Sequence, residues 1–462
     1  MQKATAITVI IMILFLLNGC SGNPNLTSTP KLGNTPTALS VTPTNFASDA
    51  EAGKAFVVDL FQNKAYDRMM KTYHYDQTLK DFLKPSVLQY FVEQMESKRG
   101  AFTQVTDIEE QALGGYTICN YTCSTETDAF TVTISFSEKH ELVGFDFYPI
   151  IDCTPNEKGT PLSLGATENK LPGILLSPEK NPTNSIAIFL HGSGPQDYNC
   201  STGLLKPYQD MAEALYDKGI ATYRFYKRTY YYMDTIDIKT ITPYEEVIAD
   251  VLAIIEFFNG DDVYRFDNIY LIGHSQSGYL LPRIYKLAVE KGLPLSGLIF
   301  MGASYSPVED LMVKQQKLYM KEHNSETDPS MQVMLEEYKA ARDRIKNLNE
   351  NSNEGPELLL GLNKYYYLYL KNYDPATEME HIEVPCLMLF AGNDKNVDRT
   401  EKDLWEKKLV QDNVVIREYA GLNHLFVPGS GWLAEDMLKP GNVDSRVMED
   451  IYGWIIAGKI GG

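Results

Sequence analysis

The spacing of apolar residues changes three times along the chain. An almost unbroken apolar run, Ile7 to Leu17, gives way to Ser21–Asn45, which has no apolar period. From Ala47 the spacing is helical: Ala55, Phe56, Val57, Leu60 and Phe61 form one stripe, Tyr66, Met69, Met70 and Tyr73 another, and Pro85–Met95 predicts a third helix. Strand-like runs follow at Phe102–Glu109, Tyr116–Ser124, Phe130–Phe136 and Leu142–Phe147, with turn signals between them. Residues 47–150 therefore read as a small α+β domain.

Beyond a junction at Ile151–Gly165, the two periods alternate. Strands are predicted at Ser185–Leu190, Ala221–Tyr226, Ile269–Ile272, Ser296–Met301, Cys386–Phe390 and Asn413–Tyr419. Helices are predicted at Tyr208–Lys218, Pro243–Phe258, from Gly278 onward, at Thr400–Leu409 and around Val447–Ile456. Such alternation implies an α/β class, with a mostly parallel sheet covered on both faces, over residues 151–462. The stretch from about 306 to 383 interrupts it with helical stripes such as Met331, Met334, Leu335, Tyr338 and Ile345, and with the cluster Tyr365, Tyr366, Tyr367 and Tyr369. An insertion between two sheet strands reads as a helical lid. Those tyrosines and Tyr230–Tyr232 serve either core packing or an apolar, aromatic-accepting pocket.

The 462 residues, 44% of them hydrophobic, suffice for more than one core. Lys and Arg total 42 against 61 Asp and Glu, a net charge of −19, and no long basic run exists, which argues against a nucleic-acid partner. Five cysteines lie beyond Cys20, namely Cys119, Cys123, Cys153, Cys200 and Cys386; their number is odd and their spacing fits no metal site. One disulfide and buried thiols are both open readings. Oligomeric state is not legible.

At the amino terminus, Met1 to Gly19 carries one charge, Lys3, and ends in Asn18-Gly19-Cys20. Its apolar run is short for a bilayer span, and small residues precede the cysteine. This resembles a bacterial lipoprotein signal peptide over residues 1–19. The resemblance implies that Cys20 becomes the lipidated amino terminus and that the protein is extracytoplasmic, with the membrane as a partner. Residues 20–46, with Pro24, Pro30, Pro36 and Pro43, would form a tether reaching about 25–30 Å if flexible.

The candidate chemistry centres on Asn268–Tyr279, a strand, a tight turn at Gly273-His274-Ser275-Gln276, and a helix. A serine on such a turn stands clear of the sheet with helix N–H groups behind it. The common G-x-S-x-G pattern is altered, with Ser277 at the second glycine position and Gly278 after it; Ser277 itself would fall inside the helix. A serine nucleophile needs a histidine base and a carboxylate to orient that base, in the order serine, acid, histidine. Asp394 follows the strand Cys386–Phe390, with Asp398 deeper in the next loop or helix as the alternative. Of seven histidines, only His424 follows the acid, directly after a strand. For the developing oxyanion, the backbone N–H of Gln276 is one donor. Ser193 N–H, in Phe189-Leu190-His191-Gly192-Ser193-Gly194-Pro195, is the other, with Gly194 as its alternative.

With these motifs in order, residues from about Leu162 to Ile456 resemble the bacterial α/β-hydrolase esterase family. The matching pieces are Leu171-Pro172-Gly173, His191 to Asp197, Tyr226-Lys227-Arg228, the elbow, Gly392-Asn393-Asp394 and Gly421-Leu422-Asn423-His424-Leu425-Phe426. Departures stand at Tyr198-Asn199, Tyr226 and Thr229. The resemblance implies an α/β-hydrolase fold and hydrolysis of a small-molecule carboxylic ester through Ser275, His424 and Asp394, with no metal or organic cofactor. Thioester hydrolysis, acyl transfer and prolyl-oligopeptidase-type peptide cleavage remain alternatives. So does a lipid-anchored binding protein with a vestigial hydrolase domain. The order of elements in residues 47–150, with Lys98-Arg99-Gly100-Ala101-Phe102 and Gly114-Gly115-Tyr116-Thr117 introducing strands, looks like a bacterial domain of unknown function with a nuclear-transport-factor-2-like (cystatin-like) shape, which implies an accessory role.

Overall fold

The computed structural model describes residues 46–457 apart from 77–78, 81–82, 84, 86–87, 90–91, 94, 97–99, 114–115, 127–128, 150–157, 182, 203–204, 233–234, 353–357, 410 and 438. The expected signal peptide over residues 1–19, Cys20, most of the expected tether, Cys153 and much of the predicted Pro85–Met95 helix thus lie outside the described residues. The chain divides into two compact units, one ending at Asp152 and one beginning at Cys153.

In the first unit, helix α1 (Asp49–Val57) starts at Ser48, whose hydroxyl accepts the Glu51 N–H, and continues through a π turn over Val58–Gln62 to α2 (Tyr66–Thr72). Four antiparallel strands follow: β1 (Phe102–Leu113), β2 (Tyr116–Thr125), β3 (Ala129–Ser137) and β4 (Leu142–Pro149), paired in sequence order. Every second residue of β3, Phe130, Val132, Ile134 and Phe136, is buried, and these pack with Phe56, Leu60 and Phe61 from the helical segment. The alternation is that of a sheet with one face on a core.

The second unit is built on eight strands: β5 (Thr160–Leu164), β6 (Leu171–Leu176), β7 (Ser185–Leu190), β8 (Ala221–Phe225), β9 (Asn268–His274), β10 (Gly297–Met301), β11 (Cys386–Ala391) and β12 (Val414–Tyr419). Their order across the sheet is β5-β6-β8-β7-β9-β10-β11-β12, with β5–β6 and β6–β8 antiparallel and all other pairs parallel. Among the described residues, the α-helices longer than one turn are α3 (Pro207–Asp217), α4 (Ala249–Gly260), α5 (Gln276–Glu290), then α6 (Val308–Glu322), α7 (Pro329–Asn347), α8 (Lys364–Leu370) and α9 (Pro375–Met379) in the insertion, followed by α10 (Arg399–Lys408) and α11 (Ser445–Ala457).

The central strands are apolar on both faces because helices cover both. In β7, Ile186, Ile188 and Leu190 join the core under α4 and α5, while Ala187 and Phe189 join the one under α3 and α11. Strand β5 was not expected from the sequence; its burial rises only toward Leu164, so a half-exposed edge strand leaves no clear period. Strand order reverses around β7. Its connection through α3 goes to β8 on one side, and the connection from β8 through α4 goes to β9 on the other. Ligand sites in open α/β sheets form at such a switch point, at the carboxyl ends of the strands.

Candidate active site

Strand β9 ends at His274 and α5 begins at Gln276, which leaves Ser275 alone on the turn with φ +51° and ψ −112°. A non-glycine residue there stores strain of about 1–3 kcal/mol. It is held from both sides: Ser275 N–H donates to Met301 O at 2.8 Å, and Ser275 O accepts Tyr279 N–H at 2.9 Å. The close approach of strand and helix falls on Gly273 and Gly278. A Cβ on Gly278 would lie 2.7 Å from Ala303 Cβ and 2.9 Å from Gly273 O. Ser277 is fully buried inside α5, and its hydroxyl donates to His191 O at the end of β7. The altered elbow therefore uses the glycine one place later for clearance and spends the serine on a tie to the neighbouring strand.

His424 and Asp394, both buried, meet at 2.6 Å through Nδ1 and Oδ2. The other carboxylate oxygen of Asp394 accepts the N–H groups of Asn396 and Val397, each at 2.8 Å. A carboxylate anchored this way presents one fixed acceptor to the imidazole. With Nδ1 donating to it, Nε2 is the basic nitrogen. Asp398 caps α10 by accepting Thr400 N–H at 3.0 Å and does not join the pair.

The loop carrying His424 is pinned by residues that motif reading passed over. Fully buried Asn423 accepts Leu425 N–H at 3.0 Å and Val427 N–H at 3.2 Å, and donates to Asp436 at 3.1 Å. Asp436 also takes Ser430 N–H and Gly431 N–H. On the other side, His274 Nε2 lies 2.9 Å from His424 O, and the two rings are 4.6 Å apart. Burial first, then the charge of neighbouring His424, lowers the His274 pKa to about 3. A neutral His274 whose Nε2 faces a carbonyl carries its proton there. Gly302, at φ +55° after β10, leaves space for the pair: a Cβ would stand 3.2 Å from His424 Nδ1 and Cε1 and 3.4 Å from Asp394 Oδ2.

The loop after β7 lies on the elbow, since a Cβ on Gly192 would be 3.3 Å from Ser275 Cβ and 3.1 Å from His274 Nδ1. It is knotted by buried Asp197, which accepts Asn199 N–H, Ser201 N–H and the Ser201 hydroxyl. Ser193 sits exposed on this loop, and Gln276 is the first residue of α5, where a helix N–H has no intrahelical acceptor. Two departures from the esterase pattern meet each other: Tyr198 packs edge-on against Tyr226 at 5.0 Å. Of the insertion's tyrosines, Tyr366 and Tyr367 are buried with hydroxyls bonded to Glu246 and Leu359 O, whereas Tyr365 is exposed. Tyr226, Tyr230, Tyr231 and Tyr232 form a chain of ring contacts beyond β8.

The sheet order with a reversed second strand, crossed at β7, and a strained serine between the fifth strand and its helix decide the architecture. The second unit is an α/β-hydrolase fold with a helical insertion. Esterase EstD of Thermotoga maritima is a relative, 26% identical over 372 residues, spanning 78% of this chain and 85% of that one. Among solved structures, ferulic-acid-bound Est1E of Butyrivibrio proteoclasticus aligns at 15% identity and a TM-score of 0.39, over 63% of this chain and 99% of that one. The Pyrococcus furiosus esterase Pf2001 aligns at 13% and 0.41, over 65% and 91%. Residues 55–145, within the first unit, match the family described as Protein of unknown function (DUF3887), in line with the resemblance read from the order of its elements.

Cys119, Cys123, Cys200 and Cys386 are buried free thiols. Among the described residues, no cluster of His, Cys, Asp or Glu is arranged to hold a metal, and no helix is long and apolar enough to cross a membrane.

Proposed function

We propose that this chain is a serine carboxylesterase. The observation that carries the reading is a serine held at positive φ on the β9–α5 turn, at the same carboxyl end of the parallel strands as the buried His424–Asp394 pair. In the first step, Ser275 Oγ attacks the ester carbonyl carbon while its proton passes to His424 Nε2. Asp394 fixes the tautomer and stabilises the imidazolium. The N–H groups of Ser193 and Gln276 hold the oxyanion, each donor being worth roughly 100- to 1,000-fold in rate. Collapse expels the alcohol, which takes the proton from His424. Water, deprotonated by His424, then attacks the acyl-enzyme and releases the acid. The relationship to an esterase supports the reaction class, and the aromatic residues beyond β8 favour apolar or aromatic ester groups.

A fluorophosphonate probe should label Ser275 and fail to label Ser275→Ala. A panel of p-nitrophenyl esters, thioesters and peptide amides should show esters preferred. Absence of labelling would favour the vestigial binding protein, and preference for thioesters or amides would reassign the reaction. We further propose that Cys20 is lipidated and anchors the protein outside the cytoplasm; the Ser-, Thr- and Pro-rich stretch that follows supplies the reach.

A further inference from the structure

Below the loop after β7 lies a buried cation that the mechanism above does not use. The Lys227 side chain is 2% exposed, and its ammonium lies 2.8 Å from Gly192 O, 3.0 Å from Gly194 O, 2.9 Å from Gln276 Oε1 and 2.9 Å from Glu246 Oε1. Burying an ammonium costs several kcal/mol before its partners compensate it, and an apolar side chain would fill the space without that cost. The four oxygens therefore point to a specific task. Two of them flank Ser193, and a third belongs to the side chain of Gln276. We propose that Lys227 is the positioning residue of the oxyanion hole, setting both of its N–H donors. This rests on the esterase reading and extends it.

The geometry follows from the peptide bond. No cis peptide occurs among the described residues, and in a trans peptide the C=O of one residue and the N–H of the next point in opposite directions. Holding Gly192 O on Lys227 turns Ser193 N–H away from the ammonium. Gly194, at φ +80°, lets the chain curl back so that its own carbonyl returns to the same cation. A carbonyl that accepts from a cation also polarises its peptide, making the N–H a stronger donor. On the opposite side, Gln276 is fixed at both ends of its amide: Oε1 on Lys227, and Nε2 on Glu246 Oε2 at 3.2 Å and on the Tyr366 hydroxyl. Tyr366 in turn donates to Glu246 Oε2 at 2.7 Å, so helix α8 of the insertion closes the network.

The test compares wild type, Lys227→Met with Glu246→Gln in one chain, and Lys227→Arg. The double substitution removes both charges, so no unpaired carboxylate is left to unfold the protein. The double variant should remain folded at the assay temperature, with its unfolding transition lowered because Gly192 O, Gly194 O and Gln276 Oε1 lose their donor, while kcat on a p-nitrophenyl ester falls about 100-fold with KM within about threefold. Binding of a boronic acid, which forms a tetrahedral adduct on the serine, should weaken by the same factor, and binding of the product acid should not change. Lys227→Arg, which keeps a cation opposite Glu246, should recover at least about tenfold of the loss. A folded double variant with kcat within about threefold of wild type would overturn the role of the lysine alone. Loss of boronate and product affinity in parallel would also overturn it, because a merely structural role weakens both. A wild type that neither hydrolyses esters nor takes a fluorophosphonate would overturn the esterase reading as well.

Discussion

Replacing Gly302 by alanine tests whether the His424–Asp394 geometry, rather than the mere presence of the two residues, sets the rate. The new Cβ would stand 3.2 Å from His424 Nδ1 and Cε1, against ordinary carbon contacts of about 3.5–4.0 Å. The ring must move by about 0.3–0.8 Å, and it has little room. Its Nδ1 is tied to Asp394 at 2.6 Å, and its backbone carbonyl to His274 at 2.9 Å. Since a 1 Å misplacement can cost about 100-fold, kcat should fall about 4- to 40-fold. Alanine at φ +55° also costs about 1–2 kcal/mol of stability. Gly292→Ala separates the two effects: it has φ +70° and no atom within 4 Å of the added Cβ, so it carries the same backbone penalty without the clash. The assay is steady-state hydrolysis of a p-nitrophenyl ester together with urea unfolding of both variants. Gly302→Ala at wild-type kcat, or an equal fall in Gly292→Ala, would refute the reasoning.

Asp394→Asn should leave the fold intact and lower kcat by about 1,000- to 10,000-fold, because an amide no longer selects the tautomer with Nε2 free; a loss below about tenfold in steady-state kinetics would remove Asp394 from the mechanism. Ser277→Ala should keep fluorophosphonate labelling while losing about 1–3 kcal/mol in urea unfolding, since His191 O is left buried without its donor; lost labelling in a folded variant would move the nucleophile to Ser277. His191 and His274 both have pKa values lowered to about 3, His191 by burial first and then by Lys227. The unfolded chain, with values near 6.5, therefore binds those protons first. Their stability contribution is present above about pH 6.5 and is lost as pH falls toward 3, by about 2 kcal/mol for each histidine between pH 7 and pH 5. His191→Asn should reduce that loss by about 2 kcal/mol in denaturant titrations at the two pH values; an unchanged loss would contradict a buried neutral His191. Cys20→Ala should move the protein from the membrane to the soluble fraction, and its persistence in membranes would sink the lipid anchor.

The sequence by itself determined the class of the second unit, because strands apolar on both faces and amphipathic helices have periods that survive without tertiary contacts. It also singled out Ser275, Asp394 and His424 as candidates, since strand ends, residue chemistry and order along the chain are one-dimensional properties. Tertiary structure alone decided what those residues touch. Asp394 faces His424 while Asp398 caps α10, a choice made by how β11 and β12 pair. Asn423 and Asp436 brace the histidine loop across a hydrogen bond that no spacing announces. Gly302 clears space for a ring that lies more than a hundred residues away in the chain. Lys227 read as part of a loop motif, yet its four oxygen partners come from the loop after β7, the segment before α4, and α5. A sequence pattern records which side of its own element a residue occupies. The partner of a buried charge is set by which elements the sheet order brings side by side.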